Sequence, residues 1–493
     1  MLQKQQWWQR DRLMVPVLLG VYFFTFLACS LLSTGTYGGG DSWMHYLFAK
    51  YAFKHPTNLL DQWGKPLFTL LASPWAQFGF SGIKFFNIIS AISTGYLSFL
   101  IARQHFQKLA WTSVVFVLSV PIYFVCVFSG LTEILFALFL IAGIYLYQNF
   151  HERWACVIIS FLPFVRSEGF LIIPVFVLIT LYYRQLFALF LLSAGTLFFS
   201  IIGYLIAHNW LWVFSTNPYL RAVNVYGKGP ITQFIRANEA IAGVPQVLLV
   251  LLAILIFIRS FFNELKTKSF GKNRMLNIRF VLIFGSFAAY FIAHSIFWKL
   301  GIFGSLGLTR VMAGIGPCIG LTSFFAFEYL LELMLFQQFW SWGKYFILVL
   351  ILAVFFMPLK VNRNDIPYRL SRLEMVQFQS CQWLKDNNFL DSYFYYYDPF
   401  VAHLLNLDPF DTKRNFSIYY GNEGLFLKQN AIIVWDSKFC PVEGHVPKRW
   451  FDENPNFELL HEERDNKSIS DKGDTLQIRI YKATSDVQFI NMN

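Results

Sequence analysis

Residues 37–46 read YGGGDSWMHY and follow directly on an apolar run from about Leu13 to Leu32. That run has the roughly 20 residues that a helix needs to cross the hydrocarbon core of a bilayer. Three basic residues precede it, but the run is too long for the core of an ordinary cleaved signal peptide. We therefore expect a retained first membrane helix, followed by a loop in which Asp41 stands after three glycines.

The composition of the chain excludes a single compact soluble domain. Of 493 residues, 56% are hydrophobic and only 14% are charged, and 57 are phenylalanine; soluble domains carry about 25% charged residues. The net charge of +11 does not indicate nucleic-acid binding, because the basic residues lie mostly between apolar runs and form no basic stripe. The sequence predicts an α-helical polytopic membrane protein and no nucleic-acid partner.

About eleven apolar segments are candidate membrane helices. They are 13–33, 83–103, 109–128, 131–148, 154–165, 169–183, 185–206, 244–260, 279–297, 307–330 and 344–358. The two segments that flank Arg166–Gly169 are short, so a single broken helix is an alternative that lowers the number by one.

The basic residues between these segments predict a cytoplasmic N-terminus. Arg103, Arg153, Arg184, Lys344 and the basic cluster at 266–279 then all fall on the cytoplasmic side. The same topology places the first loop (34–82), the second large loop (207–243) and the tail outside. An integral multi-pass protein with an extracytoplasmic tail is expected, in a bacterial inner membrane.

The tail changes character near residue 360, where it becomes polar and mixed in charge. It contains strand-like runs at 431–435 and 476–481 and an amphipathic helical pattern at 375–387. We expect a membrane domain at 1–359 and a small α/β domain at 360–493 on the outer face. Cys381 and Cys440 both lie in this tail, and the sequence leaves open whether they pair.

Charged residues at the ends of apolar segments are the strongest functional signal. Asp41 and Lys65 lie in the first loop, Glu133 begins a later helix, Arg166 and Glu168 lie in FVRSEGF, and Arg310 lies in GSLGLTRVMAGIGP. Charges in such positions are costly and mark functional sites by default, although a helix cap or a local ion pair explains any one of them alone. Together they are predicted to lie at one membrane face.

Acids and cations at one membrane face suit transfer of a glycosyl group from a lipid phosphate. A carboxylate deprotonates the acceptor, and Lys or Arg binds the phosphate that leaves with negative charge. No Walker loop or GxGxxG motif is present, and a lipid-embedded donor requires no nucleotide fold.

The order of these features resembles the GT-C superfamily of integral-membrane glycosyltransferases, particularly its protein O-mannosyltransferase and aminoarabinose transferase branch. The similar features are an Asp soon after the first helix, the Lys65–Pro66 segment of WGKPLFTLL, and Thr132–Glu133 at a later helix start. Arg166–Gly169 and an Arg before a Pro-containing helix, Arg310 with Pro317, also match. The resemblance spans about residues 14–360, and the tail matches only in placement and size.

The resemblance implies roles for the five charged residues. Asp41 would be the general base, Glu133 a second acid, and Lys65 and Arg310 the donor-phosphate ligands, with Arg166 supporting them. Many members have paired acids in the first loop, whereas this chain has Asp41–Ser42. No cofactor is therefore expected with certainty, and a divalent metal, Mg or Mn, is left open.

Further residues are candidates for contacts with the sugar or the acceptor. They are His45, Trp43, Trp63 and Glu168, and, in the second large loop, Arg221, Tyr226 and Lys228. Each has a structural alternative, since Trp at an interface commonly anchors a helix and a charged loop is commonly just solvated.

The predicted enzyme is a hexosyl- or pentosyltransferase of the cell envelope that uses a polyprenyl-phosphate sugar. Its partners would be that donor, membrane lipids, and a glycan, lipid or protein acceptor. Two alternatives are kept: a transporter or flippase of lipid-linked sugars, and a polysaccharide polymerase or ligase. A transporter would favour repeated halves and charges near mid-span, which this sequence does not display.

Overall fold

The computed structural model describes residues 2–105, 109–220, 226–266, 277–336, 340–421, 423–469 and 475–490. Arg221 and most of the basic cluster at 266–279 lie outside these residues. The chain forms two compact units. The first comprises Met1–Ser33 and Pro56–Pro367, and the second comprises Thr34–His55 and Tyr368–Asn493.

The described chain is mainly α-helical. In chain order the α-helices are α1 (Leu2–Leu32), α2 (Gly40–Tyr51), α3 (Pro66–Ala76), α4 (Phe80–His105), α5 (Thr112–Leu118), α6 (Pro121–Val127), α7 (Glu133–Gln148), α8 (Glu152–Ser160), α9 (Leu162–Val165), α10 (Ile173–Tyr182), α11 (Leu186–Leu191), α12 (Ala194–Ala207), α13 (Trp212–Ser215), α14 (Gln233–Arg236), α15 (Asn238–Ala242), α16 (Val244–Lys266), α17 (Gly285–Leu300), α18 (Gly316–Phe336), α19 (Trp340–Val361), α20 (Arg372–Asp386), α21 (Pro399–Leu404) and α22 (Arg449–Asp452). Short 3₁₀ segments occupy Pro56–Leu60, Ser167–Leu171, Pro218–Leu220 and Thr309–Ile315, and a π-helical segment, Ile278–Phe284, leads into α17.

Seven helical segments of the described residues are long and apolar enough to cross a membrane. They are Asp11–Leu32, Phe80–Gln104, Leu186–Ala207, Val244–Asn263, Ile278–Leu300, Thr309–Leu333 and Trp342–Val361. Two shorter apolar helical segments accompany them, Glu133–Gln148 and Ser167–Tyr182. These helices make the chain an integral membrane protein, as the composition predicts.

The burial of these segments separates an inner helix from outer ones. The apolar stretch of Thr309–Leu333 is 94% buried inside the protein, whereas that of Asp11–Leu32 is only 22% buried. The outer helices carry large exposed apolar side chains such as Leu205 (70%) and Val349 (63%). Side chains of this kind suit contact with lipid, where an apolar surface carries no penalty.

All eleven segments predicted from the sequence are helical, but some are broken. Residues 109–128 divide into α5 and α6, and 154–165 into α8 and α9. Pro121 and Pro163 stand in the first turn of α6 and α9, where proline is tolerated because that N–H has no intrahelical partner. Hydropathy alone does not register these breaks, and the number of membrane spans, about eleven from the sequence, stays a prediction.

The second unit contains an α/β fold, as the strand and helix patterns of the tail predict. Its strands are β1 (Phe394–Tyr396), β2 (Asn415–Ser417), β3 (Leu425–Leu427), β4 (Ile432–Asp436), β5 (Phe457–Ile469), β6 (Thr475–Ala483) and β7 (Val487–Phe489). Five form a sheet of order β2-β1-β4-β6-β5, and β3 pairs with β7. β1 runs parallel to β2 and β4, whereas β6 is antiparallel to β4 and β5.

The amphipathic helix predicted at 375–387 is α20, and its start is fixed by a capping box. The Ser371 hydroxyl accepts from the Glu374 N–H at 3.2 Å, while the Ser371 N–H donates to the Glu374 carboxylate at 2.8 Å. This reciprocal pair satisfies two N–H groups that a helix start otherwise leaves without partners.

Residues 34–55 pack with the tail and form part of the second unit. Phe48 packs on Phe410 at a ring-centroid distance of 4.9 Å, and His55 contacts the Asp408 carboxylate at 2.9 Å. The backbone at Arg369 lies so close to residue 35 that only glycine fits there, because a Cβ would lie 2.3 Å from the Arg369 carbonyl oxygen. The loop predicted at 34–82 is thus shared between the two units.

Cys381 and Cys440 are both buried free thiols. The Cys440 thiol donates to the Asp436 carboxylate at 3.3 Å. The pairing that the sequence leaves open is therefore not made in this structure.

Candidate functional site

Lys65 occupies a left-handed turn immediately before α3. Its φ of 62° is uncommon for a residue with a side chain, and Pro66 fixes the first helical residue after it. Such outliers persist only where the surroundings enforce them, and they occur frequently at functional sites. Here the turn buries a lysine to 5% exposure.

The ammonium of Lys65 is held by hydroxyl groups. Its Nζ donates to the Tyr219 hydroxyl at 2.6 Å and lies 3.4 Å from the Ser167 hydroxyl, and it also sits 4.4 Å from the centre of the Tyr219 ring. Among the described residues no carboxylate lies within ion-pair distance of it. A buried cation with only neutral partners can accept an anionic ligand without first breaking an ion pair.

Arg166 bridges two carboxylates in the same unit. Its guanidinium lies 2.7 Å from Glu133 Oε1 and 2.6 Å from Glu168 Oε1, and it donates to the Thr132 hydroxyl at 3.0 Å. Glu133 is 1% exposed and Arg166 is 9% exposed. We call Glu133, Arg166 and Glu168 the acid–guanidinium triad.

The triad and Lys65 are joined through the short 3₁₀ segment after Arg166. Ser167, whose hydroxyl faces Lys65, is the chain neighbour of Glu168, whose carboxylate binds Arg166. Gly169 permits this tight turn, because a Cβ there would lie 2.4 Å from the Leu162 carbonyl carbon and Pro163 nitrogen. The motif RSEG therefore places the two halves of the site next to each other.

Arg310 belongs to the same unit and lies close to the triad. Its segment, Thr309–Ile315, packs against α6 and α7. Gly314 of this segment packs closely on Phe136, which lies one turn after Glu133 in α7. The structure thus brings together four of the five charged residues of the predicted constellation, namely Lys65, Glu133, Arg166 and Arg310.

Asp41, the predicted base, lies in the second unit. It is half-buried in the first turn of α2, after Gly39, whose φ is 54°. Of the three glycines only Gly39 has a positive φ, so the freedom of glycine is needed at one position of the run.

Trp43 and His45 are buried in the second unit. The Trp43 indole donates to Glu374 at 3.0 Å and stacks on His403 at a centroid distance of 4.4 Å. Trp43 is 3% exposed and His45 is 5% exposed. The sugar-stacking and interfacial roles considered for Trp43 both require an exposed ring, and these contacts make it a core residue of its unit.

Two ionisable groups near Trp43 titrate away from their ordinary ranges. Burial, together with the positive charges of Lys50 and Lys385, lowers the pKa of His403 to about 4. Burial raises the pKa of Asp398 to about 6, against the hydrogen bond from the Phe400 N–H that caps α21. Both shifts follow from the cost of burying charge.

The remaining candidates lie on the surface of the first unit or outside the described residues. Trp63 is 41% exposed, Tyr226 is 49% exposed and Lys228 is exposed. Arg221 lies outside the part of the chain that the structure describes. In the second large loop, the residue that contacts Lys65 is Tyr219. Tyr219 lies in the sequence NPYLR, two residues before Arg221, and was not predicted because it carries no charge.

Sequence reasoning also missed Tyr290 and His294 of α17. Both are buried, and both interact electrostatically with Glu168 and Arg166. Their spacing of four residues in an otherwise apolar helix places them on one face, and this spacing was the available signal.

The residues of the site do not fit a divalent metal. Within the described ranges no group of three or more His, Cys, Asp or Glu side chains is arranged to hold a metal ion. Glu133 and Glu168 instead share a guanidinium, whereas Mg²⁺ requires several oxygen ligands at about 2.0–2.1 Å. The metal that the resemblance left open finds no matching ligand set in the triad.

Comparison with known proteins gives matches among solved structures only. No protein-family model and no curated protein matches the chain. ArnT from Cupriavidus metallidurans in the apo state matches with a TM-score of 0.57 at 10% identity, covering 94% of this chain and 97% of that one. The same protein bound to undecaprenyl phosphate matches with a TM-score of 0.55 at 8% identity and the same coverage.

A second protein in this comparison comes from an archaeon. The Archaeoglobus fulgidus oligosaccharyltransferase tethered to an acceptor peptide matches with a TM-score of 0.54 at 11% identity, covering 91% of this chain and 80% of that one. Both neighbours belong to the GT-C superfamily. The resemblance found in the sequence motifs is thereby confirmed at the level of the fold: this chain has the GT-C fold.

Proposed function

We propose that this protein is an integral-membrane glycosyltransferase that moves a sugar from a polyprenyl-phosphate donor to an acceptor. The observation that carries the proposal is Lys65, a buried ammonium held only by neutral groups among the described residues. The likeness of fold to a protein solved with undecaprenyl phosphate supports a lipid phosphate as its ligand.

The charges around Lys65 favour an anionic ligand. Three cations, Lys65, Arg166 and Arg310, accompany two carboxylates, Glu133 and Glu168. The excess of positive charge would stabilise the phosphate of the donor and the additional charge that develops as it leaves. In this proposal Lys65 and Arg310 are the phosphate ligands.

Arg166 is assigned a different role from the phosphate contact that the sequence suggests. Its two terminal nitrogens already bind Glu133, Glu168 and Thr132. It therefore acts as a positioning residue that holds the Glu133 carboxylate in place, while Glu133 serves as the second acid that orients the acceptor.

The proposed reaction is a displacement at the anomeric carbon of the donor. The bond between that carbon and the phosphate oxygen breaks, and the polyprenyl phosphate departs with the electron pair. The acceptor oxygen or nitrogen forms the new glycosidic bond, and its proton passes to Asp41 as general base. The acceptor is a glycan, lipid or protein, and the sugar a hexose or pentose, at the extracytoplasmic face of a bacterial inner membrane.

The test is turnover by purified protein in lipid nanodiscs. Undecaprenyl-phosphate sugars and candidate acceptors are supplied, and product is measured for wild type, Asp41→Asn, Lys65→Met and the control Lys54→Met, whose side chain is 62% exposed. We expect Asp41→Asn to lose roughly 10²–10⁴-fold in rate, Lys65→Met to lose donor affinity, and the control to match wild type. Chelation followed by addition of Mg²⁺ or Mn²⁺ measures any metal dependence.

Three outcomes would change this assignment. Equal turnover by Asp41→Asn would remove Asp41 as the base. Movement of the lipid-linked sugar across the bilayer without covalent transfer would favour the transporter instead, and chain growth on a glycan acceptor would favour the polymerase or ligase.

A further inference from the structure

Several buried polar atoms in and beside the acid–guanidinium triad have no hydrogen-bond partner among the described residues. They include the second carboxylate oxygen of Glu168 within the triad and, beside it, His294 Nε2 and the Tyr290 hydroxyl, which faces the Arg166 guanidinium. Tyr290 is fully buried and His294 is 6% exposed. Leaving such groups without partners costs about 1–3 kcal/mol each, so a cluster of them indicates a ligand that hydrogen-bonds there.

The side chains of Glu168, Tyr290 and His294 lie near one another. The Tyr290 and His294 rings are adjacent, with centroids 4.5 Å apart, and both interact electrostatically with Glu168. The segment that carries Glu168 packs against α17, which carries the other two. A negatively charged acceptor, a hydroxyl and an imidazole therefore converge between two elements of the first unit.

The chemistry of this cluster suits sugar hydroxyl groups. A carboxylate accepts two hydrogen bonds from neighbouring hydroxyls, while a tyrosine hydroxyl and an imidazole each donate or accept. Glu168 repels a phosphate, so the cluster is unsuited to the charged part of the donor. The two aromatic rings add apolar faces of the kind that pack against the C–H groups of a sugar ring.

The position of the cluster matches the covalent structure of the donor. Glu168 follows Ser167, whose hydroxyl lies 3.4 Å from Lys65 Nζ. In a polyprenyl-phosphate sugar the ring is bonded directly to the phosphate, so the sugar ligands must adjoin the phosphate ligand. We propose that Glu168, Tyr290 and His294 form the subsite that recognises the hydroxyl groups of the transferred sugar; this rests on the proposed glycosyltransferase function.

The test compares affinity for a sugar-bearing lipid with affinity for the bare lipid. The probes are undecaprenyl phosphate, undecaprenyl-phosphate mannose and undecaprenyl-phosphate aminoarabinose, and the quantity measured is the ratio of Kd values in nanodiscs. The variants are Tyr290→Phe and His294→Phe, which keep a ring but remove the polar atom. Glu168→Gln is avoided as the main variant because Glu168 also pairs with Arg166.

Tyr147→Phe is the matched control. Tyr147 is fully buried and donates to Gln185 at 2.8 Å at the opposite end of α7 from Glu133, so it also loses one buried hydroxyl. We expect each α17 variant to reduce the preference for at least one sugar-bearing lipid by about three- to tenfold. Affinity for bare undecaprenyl phosphate should not change, and the control should retain the wild-type ratio.

The possible results separate the two proposals. If wild type binds none of the three lipids, the glycosyltransferase proposal fails. If it binds them but shows no preference for either sugar, or if the α17 variants keep the wild-type ratio, the subsite is overturned while the lipid-phosphate site stands. An equal loss of affinity for bare and sugar-bearing lipid would assign Tyr290 and His294 to packing and would also overturn the subsite.

Discussion

Replacing Arg166 by methionine tests the acid–guanidinium triad most directly. The substitution keeps a flexible, unbranched but shorter side chain and removes the only cation within ion-pair distance of Glu133 among the described residues. It leaves a carboxylate that is 1% exposed without a counter-charge, and Thr132 loses the N–H that donates to its hydroxyl. Glu168 loses its charged partner as well.

The magnitude follows from burial. Removing one partner of a buried ion pair destabilises a protein by about 3–5 kcal/mol, because the remaining charge stays desolvated. At about 2 °C per kcal/mol for a large domain, the melting temperature should fall by roughly 6–10 °C. The pair of Lys54, whose side chain is 62% exposed, with Asp408 provides the comparison. Lys54→Met should cost less than about 1 kcal/mol, because Lys54 is solvated and His55 still contacts the Asp408 carboxylate.

The assay is thermal unfolding of detergent-solubilised full-length protein, read by tryptophan fluorescence, with a double-mutant cycle. Glu133→Gln in the Arg166→Met background neutralises the carboxylate that has lost its partner, so we expect it to recover about 2 kcal/mol or more of the loss. Additive effects of the two substitutions, or a loss from Arg166→Met as small as that from Lys54→Met, would refute the reasoning that the triad is a coupled buried network.

Three further predictions concern the second unit and are measured by hydrogen exchange of its amides in the full-length protein. Folding lowers the pKa of His403 to about 4, so the folded protein favours the neutral imidazole, and the free energy of unfolding should fall by at most about 3 kcal/mol as the pH drops from about 6.5 to 4. His403→Gln should make the stability less dependent on pH in this range. An unchanged slope in the variant would contradict the shift. Trp43→Phe removes the indole donor to Glu374 and should destabilise the unit by about 1–3 kcal/mol, whereas wild-type protection of the amides of α20 would show that this bond contributes nothing. Gly35→Ala places a Cβ 2.3 Å from the Arg369 carbonyl oxygen and should cost about 1–3 kcal/mol by overpacking, a result that wild-type exchange rates would disprove.

Much of the fold could be predicted because a membrane leaves few options for the backbone. Hydropathy located the long apolar helices, and the strand-like runs located β4 and β6. It did not locate α2 and α3, which lie in the region predicted as the first loop. Hydropathy does not report on local backbone conformation, however, so it did not predict the division at Pro121 or the separate start of α9 near Pro163. The grouping of residues 34–55 with the tail depends on contacts between segments far apart in sequence, which no local pattern encodes.

The charged part of the site was predictable for a different reason. Ionisable residues at the ends of apolar spans are energetically costly and therefore indicate a function. This made it possible to select Lys65, Glu133, Arg166 and Arg310 from the sequence. Tyr219, Tyr290 and His294 are not conspicuous, because a tyrosine or histidine in an aromatic-rich chain is ordinary until its neighbours are known. The pairing of Arg166 with two glutamates likewise depends on the turn at Gly169 that brings Glu168 back onto it.

The composition of the second unit from two distant segments has a consequence for biosynthesis. Residues 34–55 leave the ribosome first, and their packing partners begin roughly 310 residues later. At about 5–20 residues per second this interval lasts roughly 15–60 s. During that time α2 presents Trp43, Phe48 and its other apolar side chains without the surface that buries them. A nascent chain that stalls before residue 368 would therefore expose this helix, which makes it a natural binding site for a chaperone and a natural cleavage site for a quality-control protease.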